Sequence, residues 1–205
     1  MKALILSILI TVVLLSSCKP DNRIILEYPD AGMKEIYTID KDSLIHGEKL
    51  VYLDNGENLY SKSYYDRGQL NGERYIYYPD GKIEVYEQYI DDVLHDTLKT
   101  FYQSGALKLV MIYDHGVLNG VVTKYKETGE LVERVTFADN EENGPFEEYH
   151  ENGQIRWKGS YLNGENEHGL LEEFDDSGEP IRRMMCSDLA ICKTIWTKEN
   201  GDIAE

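Results

Sequence analysis

The chain has 205 residues, with 21 Lys or Arg against 38 Asp or Glu, a formal charge of −17 at pH 7 and 16 tyrosines. So acidic a chain is excluded as a nucleic-acid binder, which must neutralise phosphates with cations, and as a polybasic ligand of anionic lipid. The charge favours solubility and, if any specific docking, a basic partner.

The first element is a targeting segment. Met1-Lys2 supplies a short positive start, and Ala3 to Leu15 form an apolar run broken by Ser7 and Thr11. That run is too short to span a bilayer comfortably and reads as a helical signal peptide over residues 1–17. It ends in Leu15-Ser16-Ser17-Cys18, which resembles the lipobox of bacterial lipoprotein signal peptides. The resemblance implies that Cys18 becomes an acylated N-terminus on a tether over residues 18–22. Each buried methylene contributes about 0.8 kcal/mol, so more than one chain gives stable anchoring to the membrane. Lys19 stands where an aspartate would signal retention at an inner membrane. The expected location is therefore the cell envelope, at the outer membrane of a Gram-negative cell, with periplasmic and surface display both open. Loss of residues 1–17 removes one lysine and no acid, so the mature charge is −18.

From Arg23 onward the chain repeats. A small residue opens each unit at Gly47, Gly72, Asp96, Gly120, Gly144 and Gly169, in steps of 24 or 25 residues. Five residues later stands an aromatic (Tyr52, Tyr77, Phe101, Tyr125, Tyr149, Phe174), and nine residues later a glycine (Gly56, Gly81, Gly105, Gly129, Gly153, Gly178). Seventeen residues after the opener comes a second aromatic, Tyr64, Tyr89, Tyr113, Phe137 or Tyr161, replaced in the sixth unit by Cys186. Tyr28 and Gly32 mark a partial unit upstream, and Trp196 with Glu199-Asn200-Gly201 a degenerate one downstream. Such a period signals an array whose units rest on their neighbours.

Each register has a physical task. Turn-forming pairs followed by the ninth-place glycine are the chemistry of a type I turn closed by a left-handed residue. His46, Asn71, His95, Asn119, Asn143 and His168 precede the openers. Both residue types tolerate positive φ, which places a second tight turn at these pairs. Between the turns, Ile83, Val85, Glu87 and Tyr89 alternate with Glu84, Tyr86 and Gln88, and Ile155, Trp157, Gly159 and Tyr161 with Arg156, Lys158 and Ser160. Period two is the mark of a half-buried antiparallel strand. Only Met184 to Ile195 is ambiguous between helix and strand. The expected fold is all-β: an elongated antiparallel meander of about seven tandem hairpins, forming one domain over residues 23–205.

With these residues in place, the repeat resembles the bacterial variant of the MORN repeat. Gly144-Pro-Phe-Glu-Glu-Tyr149-His-Glu-Asn-Gly153-Gln-Ile155, running on to Tyr161-Leu-Asn-Gly164, carries the likeness most closely. Asp96 in an opening position, Pro180, and Glu142 and Glu167 in place of an aliphatic residue two before the opener all depart from it. The resemblance implies a binding scaffold: bacterial members are often labelled antitoxin-like or immunity-like, eukaryotic ones act as scaffolds and membrane-associated modules, and no catalytic residues belong to the family.

The residues themselves point the same way. No nucleophile elbow, phosphate loop or paired metal-histidine motif is present, so neither enzyme nor cofactor is expected. His46, His95 and His168 occupy turn positions, and Asp54-Asn55-Gly56-Glu57-Asn58 and Asp175-Asp176-Ser177-Gly178-Glu179 fall where every unit turns. The positions read as structural, with no metal assigned. Cys186 and Cys192 could be bridged across a turn or on paired strands in an oxidising compartment. Tyr65, Tyr78, Tyr86 and Tyr102 fall outside the repeated registers, with opposite parity or at strand ends. They are the candidate binding surface, because tyrosine on a rigid sheet supplies contact area at low entropic cost. The expected function is an envelope-anchored module for protein–protein interaction, with an immunity- or antitoxin-like role as one form. The alternative is a glycan- or peptidoglycan-binding lipoprotein using the same tyrosines.

Overall fold

The computed structural model describes residues 22–164 and 166–203. The signal segment, Cys18 and all of the tether but Asn22 lie outside the described residues, as does Glu165. The strands run β1 (Arg23–Tyr28), β2 (Met33–Ile39), β3 (Ile45–Leu53), β4 (Asn58–Asp66), β5 (Gln69–Tyr77) and β6 (Ile83–Ile90). Then come β7 (Val93–Leu94), β8 (Asp96–Phe101), β9 (Leu107–Asp114), β10 (Val117–Leu118), β11 (Gly120–Tyr125) and β12 (Leu131–Ala138). The last are β13 (Glu141–Tyr149), β14 (Ile155–Tyr161), β15 (Glu167–Phe174), β16 (Pro180–Cys186), β17 (Cys192–Thr197) and β18 (Gly201–Asp202). All join one sheet, every pairing antiparallel and between neighbours along the chain. β7 and β8 are two pieces of one broken strand lying on β6, as β10 and β11 are on β9. The described residues contain no α-helix, and Met184 to Ile195 is resolved as β16 and β17.

In the units opened by Gly72, Asp96, Gly120, Gly144 and Gly169 the first turn has the expected chemistry. The Gly81 amide donates to the Tyr78 carbonyl, the Tyr78 amide to the Lys82 carbonyl, and Gly81 has φ +83°. The same pair of bonds recurs at Tyr102, Lys126, His150 and Asp175.

The second turn lies elsewhere than expected. It is formed by Arg67-Gly68, Asp91-Asp92, His115-Gly116 and Asp139-Asn140, each with both φ values positive. That is the two-residue type I′ hairpin. The opener pairs sit a few residues on, within or at the start of a strand. There Gly120 (φ +137°) and Gly144 (φ +119°) kink the chain, and a Cβ on either would stand 3.2 Å from Ile112 or Thr136 of the preceding unit. Positive φ combined with close approach explains why glycine occupies the position.

Directly opposed residues of an antiparallel pair share a face. The openers oppose the second aromatics: Gly72 lies across from Tyr89, Gly120 from Phe137, Gly144 from Tyr161 and Gly169 from Cys186. The first aromatics have the other parity along the same strands, so the two aromatic columns lie on opposite faces of a one-layer sheet. One unpaired residue in each second strand (Glu84, Lys108, Val132, Arg156) makes a bulge opposite the first aromatic. In the first complete unit the turn around Asp54–Gly56 carries one more residue. Gly47 therefore opposes Tyr65, and Tyr64 moves to the other face beside Glu48.

The face bearing the openers holds the core. Val135, Phe146, Leu171 and Cys186 are its buried apolar side chains, with Phe137, Trp157, Tyr161 and Met184 packed around them. The Phe146 ring stacks on Tyr161 at 4.5 Å. Gly159 lies under both Phe146 and Leu171. Toward the N-terminus the same rows turn polar, with Ser61 and Ser63 buried and Lys49 paired to Glu35 at 3.1 Å.

Both margins of the ribbon are stitched from unit to unit. On one, turn amides donate to carbonyls of the preceding unit: Gly68 to Ile45, Asp92 to Leu70, Gly116 to Leu94 and Asn140 to Leu118, at 2.7 to 3.1 Å. On the other, the Tyr78 hydroxyl donates to the Phe101 carbonyl at 2.8 Å and Tyr102 to the Tyr125 carbonyl at 2.9 Å, while His150 Nε2 meets the Phe174 carbonyl at 2.8 Å. Neighbour-to-neighbour bonding of this kind makes stability a sum over adjacent units.

Candidate functional site

The face opposite the core carries one continuous row across the paired strands: Lys62, Tyr75, Tyr86, Lys99, Val110, Thr123, Arg134, Glu147, Lys158, Glu172 and Arg183. Its C-terminal half is a ladder of alternating charge. Lys158 reaches Glu172 at 2.8 Å, and Arg183 reaches the same carboxylate at 3.0 Å. Together, Lys158 first, they hold the Glu172 carboxyl below its ordinary range. Arg183 also lies over the Trp196 ring, and Lys158 over Phe174.

The N-terminal half is aromatic. Tyr75 packs against Tyr86 with ring centroids 5.3 Å apart and against Tyr77 at 6.3 Å, the latter pair within 21° of parallel. The Glu73 carboxylate accepts hydrogen bonds from the Tyr75 hydroxyl at 2.7 Å and the Tyr86 hydroxyl at 3.3 Å. Burial, and then that carboxylate, push the Tyr75 hydroxyl up to about 12, and Tyr86 upward for the same reasons. Lys62 bonds Glu48 at 2.6 Å and lies over the Tyr64 ring. The Glu48 bond, then Tyr64, hold its ammonium above the ordinary lysine range. Lys99 lies over Tyr86 at 5.7 Å. At neutral pH the patch therefore presents the protonated Tyr75 and Tyr86 hydroxyls between Lys62 and Lys99. It is suited to binding through stacking, hydroxyl hydrogen bonds and cation–π contacts.

The four tyrosines singled out from the sequence are not brought together. Tyr86 lies in the patch. Tyr65 lies on the opposite face, across from Gly47. Tyr78 and Tyr102 stand at the margin with their hydroxyls committed to the next unit's carbonyls. Tyr64, Tyr75 and Tyr77 take their place, because strict alternation along the sequence would put them on the core face. The bulge and the one-residue insertion reverse that parity, and neither leaves a signature within a single unit. Cys186 and Cys192 oppose each other on β16 and β17 and are joined, with sulfurs 1.99 Å apart. Beside them Met185, Leu189, Ile191 and Ile203 are exposed.

Fold and surface together define a tandem-hairpin β-repeat protein with an aromatic, charged face. Two segments, residues 70–91 and 142–163, match the model of the family described as MORN repeat variant. They coincide with the hairpins β5–β6 and β13–β14, each starting two residues before the opener; the first ends at Asp91 of the type I′ turn and the second at Asn163, just after β14. These two hairpins are thus similar to MORN-variant repeats. No curated protein matches the chain.

Proposed function

We propose that the chain is a protein-interaction module displayed at the cell envelope, held there by acyl chains on Cys18, and that the patch of Tyr64, Tyr75, Tyr77 and Tyr86 is its contact surface. An immunity- or antitoxin-like role, in which a toxin is neutralised by being occupied, is the concrete form of this reading. The observation that carries it is a rigid one-layer sheet, stitched at both margins, whose second face bears clustered tyrosines between Lys62 and Lys99. Rigid aromatics of this kind supply most of the binding energy at protein interfaces.

The near-parallel Tyr75 and Tyr77 rings favour a second reading, in which a sugar ring of a glycan or of peptidoglycan lies against them. Affinity capture from detergent-solubilised envelope, with the natural chain and with Tyr75→Ser/Tyr86→Ser, separates the two. One protein retained in stoichiometric amount by the natural chain, and bound at least about tenfold more weakly by the variant, supports the module. Retention on isolated cell wall with no protein partner supports the sugar reading. A partner held equally by both chains contradicts the assigned surface. Cys18→Ala is expected to abolish labelling by radioactive fatty acid and to release the protein from membranes.

A further inference from the structure

We propose that His95, Asp114 and His115 form a binding site for a divalent transition-metal ion, zinc above all. His95 stands at the break between β7 and β8, Asp114 ends β9, and His115 is the first residue of the following turn. Their ligand atoms, two imidazole nitrogens and a carboxylate oxygen, lie within 4.8 Å of one another. His95 Nδ1 is 3.7 Å and His115 Nδ1 2.6 Å from Asp114 Oδ1. The two imidazoles meet edge to face at 5.1 Å. Donors around a tetrahedral zinc ion with bonds near 2.1 Å stand roughly 3.4 Å apart, so side-chain rotations that release the 3.4 Å bond from the His115 amide to His95 Nδ1 bring all three to bonding distance. Two imidazoles and a carboxylate are a donor set that zinc takes, with water completing the coordination. The side chains are partly to mostly exposed, which leaves the remaining position open to solvent.

The backbone holds the ligands in register before any ion arrives. The Gly116 amide donates to the Leu94 carbonyl at 2.7 Å, which locks the His115 turn against the segment carrying His95. The His95 amide is itself bound to the Gln88 carbonyl at 2.9 Å. Comparison along the array isolates what is particular to this unit. His46 meets Asp66 at 3.2 Å in the first complete unit, but Arg67 stands where His115 would be, and a guanidinium repels a cation. His168 meets Asp188 at 3.1 Å with no second imidazole. Asn71 meets Asp91 at 3.0 Å with none at all. Among the described residues the third unit alone joins two imidazoles to one carboxylate. The acidic balance of the whole chain raises the local concentration of cations around it.

The test is titration of Zn²⁺ into the full chain at neutral pH with the disulfide intact, read by calorimetry and by the histidine ring resonances. The expected result is one ion per chain, with the His95 and His115 rings shifting together. His95→Ala, His115→Ala and Asp114→Asn should each weaken binding at least about tenfold, while His46→Ala/His168→Ala leaves it unchanged. His95 and His168 are half-buried, so circular dichroism checks that the sheet is retained in every variant. Failure of the natural chain to bind at about 100 µM free zinc overturns the proposal, as does unchanged binding in His95→Ala/His115→Ala.

Discussion

Gly159 should be the least replaceable residue that has an ordinary backbone conformation. Its φ is not in the left-handed region, so alanine there adds no backbone strain and the effect is steric alone. A Cβ would stand 2.9 Å from Leu171 Cγ and from Phe146 Cε1, and 3.1 Å from Phe146 Cζ. Neither neighbour can yield cheaply, since Leu171 is 1% exposed and the Phe146 ring is stacked on Tyr161. Overpacking of this kind costs about 1–3 kcal/mol, whereas glycine to alanine in open space would stabilise by roughly 0.4–1 kcal/mol. For a chain of this size each kcal/mol moves Tm by about 2–4 °C. Gly159→Ala should therefore lower Tm by several degrees and the urea midpoint in proportion. Leu171→Ala alone opens a cavity and should cost about 2–5 kcal/mol. The double variant should cost less than the sum of the two, because the added methyl enters the space vacated. A neutral or stabilised Gly159→Ala, or strict additivity in the double variant, would refute the packing described for this face.

Three further outcomes follow from the same contacts. Tyr78→Phe removes the hydroxyl bond to the Phe101 carbonyl and should cost about 0.5–1.5 kcal/mol by urea unfolding, with the fold retained. Reduction of the Cys186–Cys192 bridge, which closes a loop of separation 6, should cost about 2 kcal/mol. Hydrogen exchange should place that loss in β16 to β18 and leave β5 to β12 unchanged, because units are coupled only to their neighbours. Glu172 has a carboxyl pKa lowered from 4.5 by Lys158 and then Arg183, so its contribution is present above that value and is lost as pH falls through the lowered one. Glu172→Gln should thus cost about 1 kcal/mol at pH 7, discounted for the partial exposure of both cations, and the difference should shrink as pH falls through the lowered carboxyl range.

Much of this architecture is legible in the sequence because hairpin chemistry is local. The ninth-place glycines announce their turns, and the alternation from Val85 to Tyr89 announces its strand. What is not legible depends on counting across strands. Asp91-Asp92 makes a type I′ turn without a glycine, so the aligned opener pair His95-Asp96 attracts the assignment that belongs four residues earlier. The bulge residues Glu84, Lys108, Val132 and Arg156 share no chemistry, so nothing marks the shift they impose, and the first aromatics cannot be told to leave the core face. One inserted residue near Gly56 exchanges Tyr64 for Tyr65. The cluster of His95, Asp114 and His115 is hidden for a related reason: its members come from successive turns, and each alone is explained by turn geometry.

The separation of the two aromatic columns onto opposite faces bears most directly on where a partner could bind, and nuclear Overhauser contacts measure it. The expected pattern is Gly72 to Tyr89, Gly120 to Phe137 and Gly144 to Tyr161 across paired strands, with Tyr75 in contact with both Tyr77 and Tyr86. Contacts placing the Tyr77 and Tyr89 rings on one face, or Gly72 at the tip of a hairpin, would contradict the one-layer ribbon and the binding surface assigned to it.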